Sequence, residues 1–444
     1  MLSYASSSGH PRLVIAAGLR TPMARAGGVF AKEDAGHLGA LVTRELLART
    51  GIAPDAIDEV ITGCVGPPFD QANVSRVIAL RAGLPRPTPA RTVARNCASG
   101  MEAVTSAATN ILSGLGDTYL CLGVEVMSSY PLIYGPAMTN FFARLNRARS
   151  GGAKLKAMMS FRPSMLAPRV ALVEGLTDPT TGMIMGKTAE LVARDFGLSR
   201  EECDRYALQS HQRAMKARDL GRFEKEIVPV VPLGAKPKQS SLRHDDGIRD
   251  EQSMDALAKM KPYFEKPDGI VTVANACGIT DAAVALLVTT EDRARELGLK
   301  PLAAIRSFAW AGLDPARMGL GPVYSSAAAL DAAGLTVADM ATVELNEAFA
   351  AQVLGCARAF ASREFAQKHL DRDQALGELD PAKLNPNGGA IALGHPVGAT
   401  GARLLLTTAL ELQQREQQFG LATLCIGGGQ GGAVVLENLG GTGA

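Results

Sequence analysis

One unit of sequence occurs twice, far apart, and it limits the folds open to this chain more than any other feature. "LLARTGIAPDAIDEVITG", residues 46–63, aligns with "LDAAGLTVADMATVELN", which begins at Leu330, when Gly51 is set on Gly334. Each copy reads as the end of a helix, a glycine stop, a short polar turn and a strand centred on Val60 or Val343. Ahead of the first copy, "RLVIAAGLRTP" reads as a buried strand and "HLGALVTRELLART" as a helix with apolar residues at helical spacing. Helices alternating with short apolar strands predict a layered α/β fold. The echo predicts two similar halves packed together.

A chain of 444 residues exceeds one ordinary hydrophobic core, and its 47% apolar content can fill two or three. The formal charge of +2 gives no global argument for nucleic acid, so any basic surface has to be local. The seven cysteines (Cys64, Cys97, Cys121, Cys203, Cys277, Cys356 and Cys425) are odd in number, scattered, and without a C-x-x-C pair. That pattern predicts neither a disulfide framework nor a metal site. The opening residues show no basic stretch followed by a long apolar one, and no apolar run reaches membrane-spanning length. A reducing, cytoplasmic setting is the expectation.

The middle of the chain, about residues 130–242, has a different character. Arg144, Arg147, Arg149, Lys154, Lys156, Arg162 and Arg169 face very few acids and are interleaved with "FF", "AMMSF" and "SML". Such a stretch serves either as an ordinary solvated helical face or as a basic, partly apolar surface for an anionic ligand, a partner or a membrane. "SREECDRYALQSHQRAMKARDLGRF" reads as a surface helix with Ser199 as N-cap, Glu202 at capping-box spacing and Gly221 as a stop.

Two late segments are dense in glycine: "NPNGGAIALGHPVGATGAR", residues 385–403, and "CIGGGQGG", residues 425–432. Glycine there lets backbone approach a ligand closely with its amides free. A dinucleotide fingerprint is a poor match, because "GGGQGG" lies too near the C-terminal end for the βαβ unit such a site needs. Cys97 in "RNCASGMEAV" and His395 in "GHP" remain ambiguous when taken singly, since most free cysteines and lone histidines are packing or surface residues.

The ensemble is more specific. "NCASG" at Cys97, "NEAFA" at 346–350, "NPNGGAIALGHPVGATG" around His395 and "CIGGGQGG" from Cys425, in this order and at these separations, resemble the thiolase family. The resemblance runs from "RTPMARAGG" near the start to "GGAVVLE" near the end. Within the family, "RPSMLAP", "MGKTAE" and "YALQSHQRA" look like the β subunits of fatty-acid β-oxidation complexes.

The resemblance implies a thiolase-like α/β fold of two similar α/β/α/β/α halves packed together with an inserted loop domain. Residues 1–129 and 243–297 would form the first half, 130–242 the loop domain over the active site, and 298–444 the second half. It implies a 3-ketoacyl-CoA thiolase (acetyl-CoA C-acyltransferase) acting through an acyl-cysteine, in either direction. Cys97 would be the nucleophile, His395 its base and Cys425 the second acid/base. Asn346 would hold a water that forms one oxyanion site with His395, and the amides of Cys97 and Gly427 would form the other. A helix start and a nearby histidine are expected to lower the Cys97 thiol pKa.

Coenzyme A, as substrate rather than tightly bound cofactor, would lie along Met185, Gly186, Ala276, Cys277, Ala348 and Phe349. Many thiolases have serine at Cys277, and glycine often follows Asp281 where this chain has Ala282. The family implies a homodimer or homotetramer, and the subfamily likeness a hydratase/dehydrogenase partner subunit. No nucleic acid or transmembrane segment is expected, and the basic middle region suits peripheral membrane contact. Two other readings stand beside this one: a ketoacyl-synthase-like condensing enzyme and a non-catalytic CoA-binding scaffold subunit.

Overall fold

The chain is described by a computed structural model that covers residues 2–6, 9–235 and 241–440. Its first part contains β1 (Leu13–Arg20), α1 (Ala35–Thr50), β2 (Glu59–Gly63), α2 (Val74–Ala82), β3 (Ala90–Val93), α3 (Ser99–Leu112) and β4 (Thr118–Val126). The middle region supplies α4 (Pro136–Arg147), α5 (Gly151–Met158), α6 (Met185–Asp195) and α7 (Arg200–Asp219). There follow β5 (Thr280–Thr290), β6 (Ala303–Gly312), α8 (Gly321–Ala333), β7 (Met340–Leu345), α9 (Ala350–Ala361), α10 (Val397–Arg415), β8 (Phe419–Ile426) and β9 (Gln430–Glu437).

The strands run in the order β7-β8-β9-β6-β1-β5-β4-β2-β3. β1-β5-β4-β2 and β6-β9-β8-β7 share one pattern, two antiparallel pairings followed by a parallel one. The two sets meet where Ala303 and Ala304 pair with Ile15 and Val14, and the strand Leu2–Ala5 ahead of β1 also pairs along β6. The sequence echo falls on equivalent pieces. α1 ends at Gly51 (φ 69°) and α8 at Gly334 (φ 67°), each followed by one 3-10 turn, Pro54–Ala56 or Val337–Asp339, and then by β2 or β7. A left-handed residue closes each helix, and glycine takes that conformation without a Cβ clash.

Successive strand residues point to opposite faces, and the burial of β4 and β8 shows where those faces go. Leu120, Leu122 and Val124 of β4 pack under α1 and α2, whereas Tyr119 and Cys121 join Ala422, Leu424 and Ile426 of β8 around α3 and α10. Leu421 and Cys425 of β8 face the outer core with α8 and α9. The two halves therefore build the five α/β/α/β/α layers jointly, sharing α3 and α10 as the central layer. α10 lies close against β4, since a Cβ on Gly123 would sit 2.6 Å from the Gly398 carbonyl oxygen.

The middle region packs on both halves. The capping box at Ser199 and Glu202 forms as expected. α7 is less of a surface helix than its polar sequence suggests, because Cys203, Tyr206 and Ala207 enter the second half's core. Buried Arg20 of β1 donates to Asp245 at 2.6 Å and to Glu226 at 2.8 Å, which anchors the far end of the excursion to the first half. Among the described residues no helix is long and apolar enough to cross a membrane.

Candidate active site

Cys97 lies two residues before α3, and His395 two residues before α10. The starts of these central helices touch: a Cβ on Gly100 would lie 2.8 Å from the Gly398 carbonyl oxygen, and one on Gly401 would lie 2.5 Å from the Met101 nitrogen. Small residues at the crossing thus bring two positions nearly three hundred residues apart in sequence to one place. Asn96, with φ 44°, donates from Nδ2 to the Gly427 carbonyl at 2.8 Å and clips the cysteine turn to the late glycine loop. Arg95 stacks its guanidinium 4.4 Å from the centre of the Trp310 ring and donates to Glu102 at 2.7 Å.

The backbone N–H groups of Gly427 and of Cys97 itself are directed at the Cys97 sulfur. Met185 reaches the same loop, since a Cβ on Gly427 would meet its sulfur at 3.4 Å. Around Cys97 lies a cavity of about 240 Å³ whose walls include Val65, Met127, Tyr130, Leu172, Leu176 and Val397. Its roof comes from residues 172–180, so the middle region covers the cysteine. A larger cavity, about 760 Å³, lies beside Phe365 and includes none of the expected site residues. Chemistry rather than volume locates the site.

His395 is buried and its orientation is fixed. Thr400 donates its hydroxyl hydrogen to the Pro396 carbonyl at 3.2 Å and so accepts from His395 Nδ1–H at 2.6 Å. That leaves the Nε2 lone pair toward Asn346, whose Nδ2 lies 3.5 Å away. The Asn346 backbone N–H donates to the Thr423 carbonyl at 3.0 Å, which sets the residue beside β8, the strand that carries Cys425.

The expected CoA-facing residues assemble around the next turn. Ala276 bridges Phe349, the Cys277 N–H donates to the Ala348 carbonyl at 3.0 Å, and the His395 N–H donates to the Gly278 carbonyl at 3.2 Å. Gly186 packs flat on Phe264, whose ring lies 6.1 Å from that of Phe349. Cys97, Met185 and Gly427 line the cavity, whereas His395, Asn346, Cys425, Gly186, Ala276, Cys277, Ala348 and Phe349 stand outside its walls.

Several supporting residues escaped the sequence reading. Glu347 accepts from Tyr206 at 2.9 Å, Ser210 at 2.6 Å and Asn385 at 3.1 Å, binding the "NEAFA" turn to α7 and to the "NPNGG" loop. Glu125 accepts from the backbone N–H groups of Val65, Gly66 and Gly398, each at 3.0 Å, and from Tyr130 at 3.0 Å. For Glu347 a signal existed, a carboxylate inside a small apolar block. For Glu125 there was none, because most of its partners are distant backbone amides, and for Thr400 none, because a threonine five residues after a histidine is an ordinary spacing.

The electrostatics correct one expectation. Burial pushes the Cys97 thiol up, more than the two converging amides lower it, and the Glu125 carboxylate adds to the rise. Burial and the positive charge of Arg403 push His395 down to about 3. The imidazole is therefore neutral and supplies no cation to draw the thiol down. Both shifts favour the uncharged forms, a thiol at Cys97 and a neutral imidazole at His395. Burial also raises Cys425 well above the ordinary range, with charge on Cys97 and Cys356 adding to it, and pushes Cys277 up to about 12.

Such a site can add a sulfur to a carbonyl while passing its proton to nitrogen, and holds a second thiol that gives up its proton only to a strong base. A raised thiol pKa means that little thiolate exists at neutral pH. Alkylation of Cys97 by iodoacetamide should thus run slower at about pH 7 than that of an unburied cysteine and keep rising past about pH 9. A rate already level below about pH 7 would reveal an ion pair instead.

A model of the thiolase N-terminal domain matches residues 13–292, and one of the C-terminal domain matches residues 299–438. The chain is 39% identical over 428 residues to a 3-ketoacyl-CoA thiolase of Pectobacterium carotovorum, covering 96% of each chain. It is 38% identical over 428 residues to one from Yersinia enterocolitica, covering 96% of this chain and 97% of that one. Among solved structures, human mitochondrial 3-ketoacyl-CoA thiolase in complex with CoA superposes with a TM-score of 0.82 at 34% identity, covering 96% of this chain and 98% of that one. Bacillus anthracis acetyl-CoA acetyltransferase gives 0.84 at 35% identity, covering 97% and 99%. With both domain models matched in sequence order and the motif blocks gathered at one place, the chain belongs to the thiolase family.

Proposed function

We propose that this chain is a 3-ketoacyl-CoA thiolase: it cleaves 3-ketoacyl-CoA with CoA to acetyl-CoA and a shortened acyl-CoA, or runs the reverse condensation. The observation that carries this reading is Cys97 beside the Gly427 amide at a covered cavity, with the buried, oriented His395 brought up behind its wall by the contact of α3 and α10. In the first half-reaction the Cys97 sulfur adds to the C3 carbonyl as its proton passes to His395 Nε2. The C2–C3 bond then breaks, its electron pair forms the acetyl-CoA enolate, and the Cys425 thiol protonates C2. In the second, incoming CoA gives its proton to the Cys425 thiolate and adds to the acyl carbonyl. Cys97 departs and recovers its proton from His395.

Both steps build negative charge on oxygen. The amides of Cys97 and Gly427 would bind one oxyanion, and His395 with a water held by Asn346 the other, each donor supplying roughly 3–4 kcal/mol. The high proton affinity of Cys425 suits protonation of carbon, because the thiol keeps its proton until the enolate forms. Coenzyme A would enter along Met185, Gly186, Ala276, Cys277, Ala348 and Phe349, with residues 130–242 as the loop domain over the cysteine and 1–129 with 243–297, and 298–444, as the two halves. A homodimer or homotetramer in the cytoplasm suits the family. Direction follows from cellular thioester and CoA levels, since one site serves both.

Thiolysis of acetoacetyl-CoA and of longer 3-ketoacyl-CoA tests the reading. Wild type should turn over at least one of them, and Cys97→Ala should lose about a thousandfold or more. Cys277→Ser should retain activity, because its backbone N–H, not its thiol, makes the contact with Ala348. Turnover by Cys97→Ala would refute the assignment of the nucleophile.

A second observation adds a surface to this reading. Residues 126–173 contain no acid, while Arg144, Arg147, Arg149, Lys154, Lys156, Arg162 and Arg169 are basic. Leu155, Met158, Met159, Leu166 and Val173 stand exposed among them. Cations beside exposed apolar side chains match an anionic bilayer. The protein should float with phosphatidylserine vesicles and release them in high salt. Failure to float, with recovery of a hydratase/dehydrogenase subunit on the same face, would assign the surface to that partner.

A further inference from the structure

The strand that leads into the reaction centre carries a polar row of its own. Thr342, Glu344 and Asn346 alternate along β7 and its end, all fully buried, while Val343 and Leu345 between them join the outer core. The row faces α10, where Arg403 Nη1 donates to Glu344 Oε2 at 2.7 Å. Thr408 meets Thr342 across Gly420, since a Cβ there would lie 2.7 Å and 3.0 Å from their methyl groups. Within this seam Thr342 Oγ1, Glu344 Oε1, Asn346 Oδ1, Arg403 Nε and Nη2, and Thr408 Oγ1 have no partner among the described residues.

Buried polar atoms are nearly always paired. A charge pair with half its groups unmatched is strongly destabilising when dry, whereas an internal water forms about three hydrogen bonds to such groups. The seam ends where Asn346 meets His395. We infer that ordered water fills the seam between β7 and α10, and that Glu344 and Arg403 are positioning residues that set how readily His395 accepts a proton.

This rests on His395 being the base of the proposed reaction. A proton on His395 is opposed by the Arg403 charge, and the Glu344 carboxylate offsets that charge. The charged and titratable groups facing Glu344 are Arg403 and Glu411 from α10, Glu347 from the turn after β7, and His395 beyond Asn346. Burial, only partly offset by Arg403, pushes Glu344 up to about 7. Its carboxylate is present above that pH and supports the base. Below it the carboxyl is neutral, Arg403 is unopposed, and His395 is a weaker base.

The test is rapid-quench acetyl transfer from acetyl-CoA to Cys97, followed from about pH 6 to about pH 9. Wild type should slow as pH falls through about 7. Glu344→Gln should be about tenfold slower at alkaline pH, equivalent to one unit of imidazole basicity, and lack the acid limb. Thr342→Val should melt lower than wild type and displace the limb, because it removes a partner of the water. In a dry seam the same exchange removes an unpaired hydroxyl and should raise the melting temperature. A wild-type pH profile in Glu344→Gln, or a higher melting temperature for Thr342→Val, overturns the inference. Absence of acetyl-Cys97 in the wild type overturns the thiolase reading itself.

Discussion

The contact between the starts of α3 and α10 is the constraint on which the rest of the structure depends. Each helix is the central element of its own half, and each is preceded by one reactive side chain, Cys97 or His395. Gly100 and Gly401 let the two backbones touch, Gly398 lets α10 close on β4, and Glu125 on β4 holds the Gly398 amide across the join. Larger residues at 100 and 401 would push the helix starts apart, and Cys97 away from His395. The halves share little sheet pairing, that of Ala303 and Ala304 with β1 and of Leu2–Ala5 with β6. Their union rests on the packed central layer that also sets the site.

Much of this was legible in the sequence because it is written in local spacing. Gly51 and Gly334 marked the same stop in two halves, and the structure places them on equivalent helix ends. Two of the four motif blocks stood out as dense runs of glycine, whereas "NCASG" and "NEAFA" gained meaning only from the order and separation of all four. Hydrogen-bond partners set by the fold were not legible. Thr400 is four residues after Pro396, yet nothing in that spacing shows that its hydroxyl serves the His395 ring. Glu125 acts through backbone amides far along the chain, which leave no side-chain signature.

The one clear reversal concerns proton affinity. A cysteine ahead of a helix, with a histidine close by, suggested a depressed thiol pKa. Burial decides otherwise for both partners: it disfavours charge on each, and Arg403 further opposes protonation of the imidazole. In the proposed reaction the neutral thiol and imidazole would exchange the proton only during attack, when the developing oxyanion would meet the Gly427 and Cys97 amides. A high-affinity thiol at Cys425 fits the same proposal, in which it would keep its proton for an enolate carbon. The polar seam behind His395 then becomes the place where this balance is tuned.

The central claim is that Cys97 carries the acyl group between two half-reactions. Incubation with isotopically labelled acetyl-CoA, followed by acid quench and peptide mapping, tests it most directly. The account predicts the label on the peptide containing Cys97, released as labelled acetyl-CoA when unlabelled CoA is added. Label on another residue, or folded, CoA-binding protein with Cys97 unmodified, would contradict it.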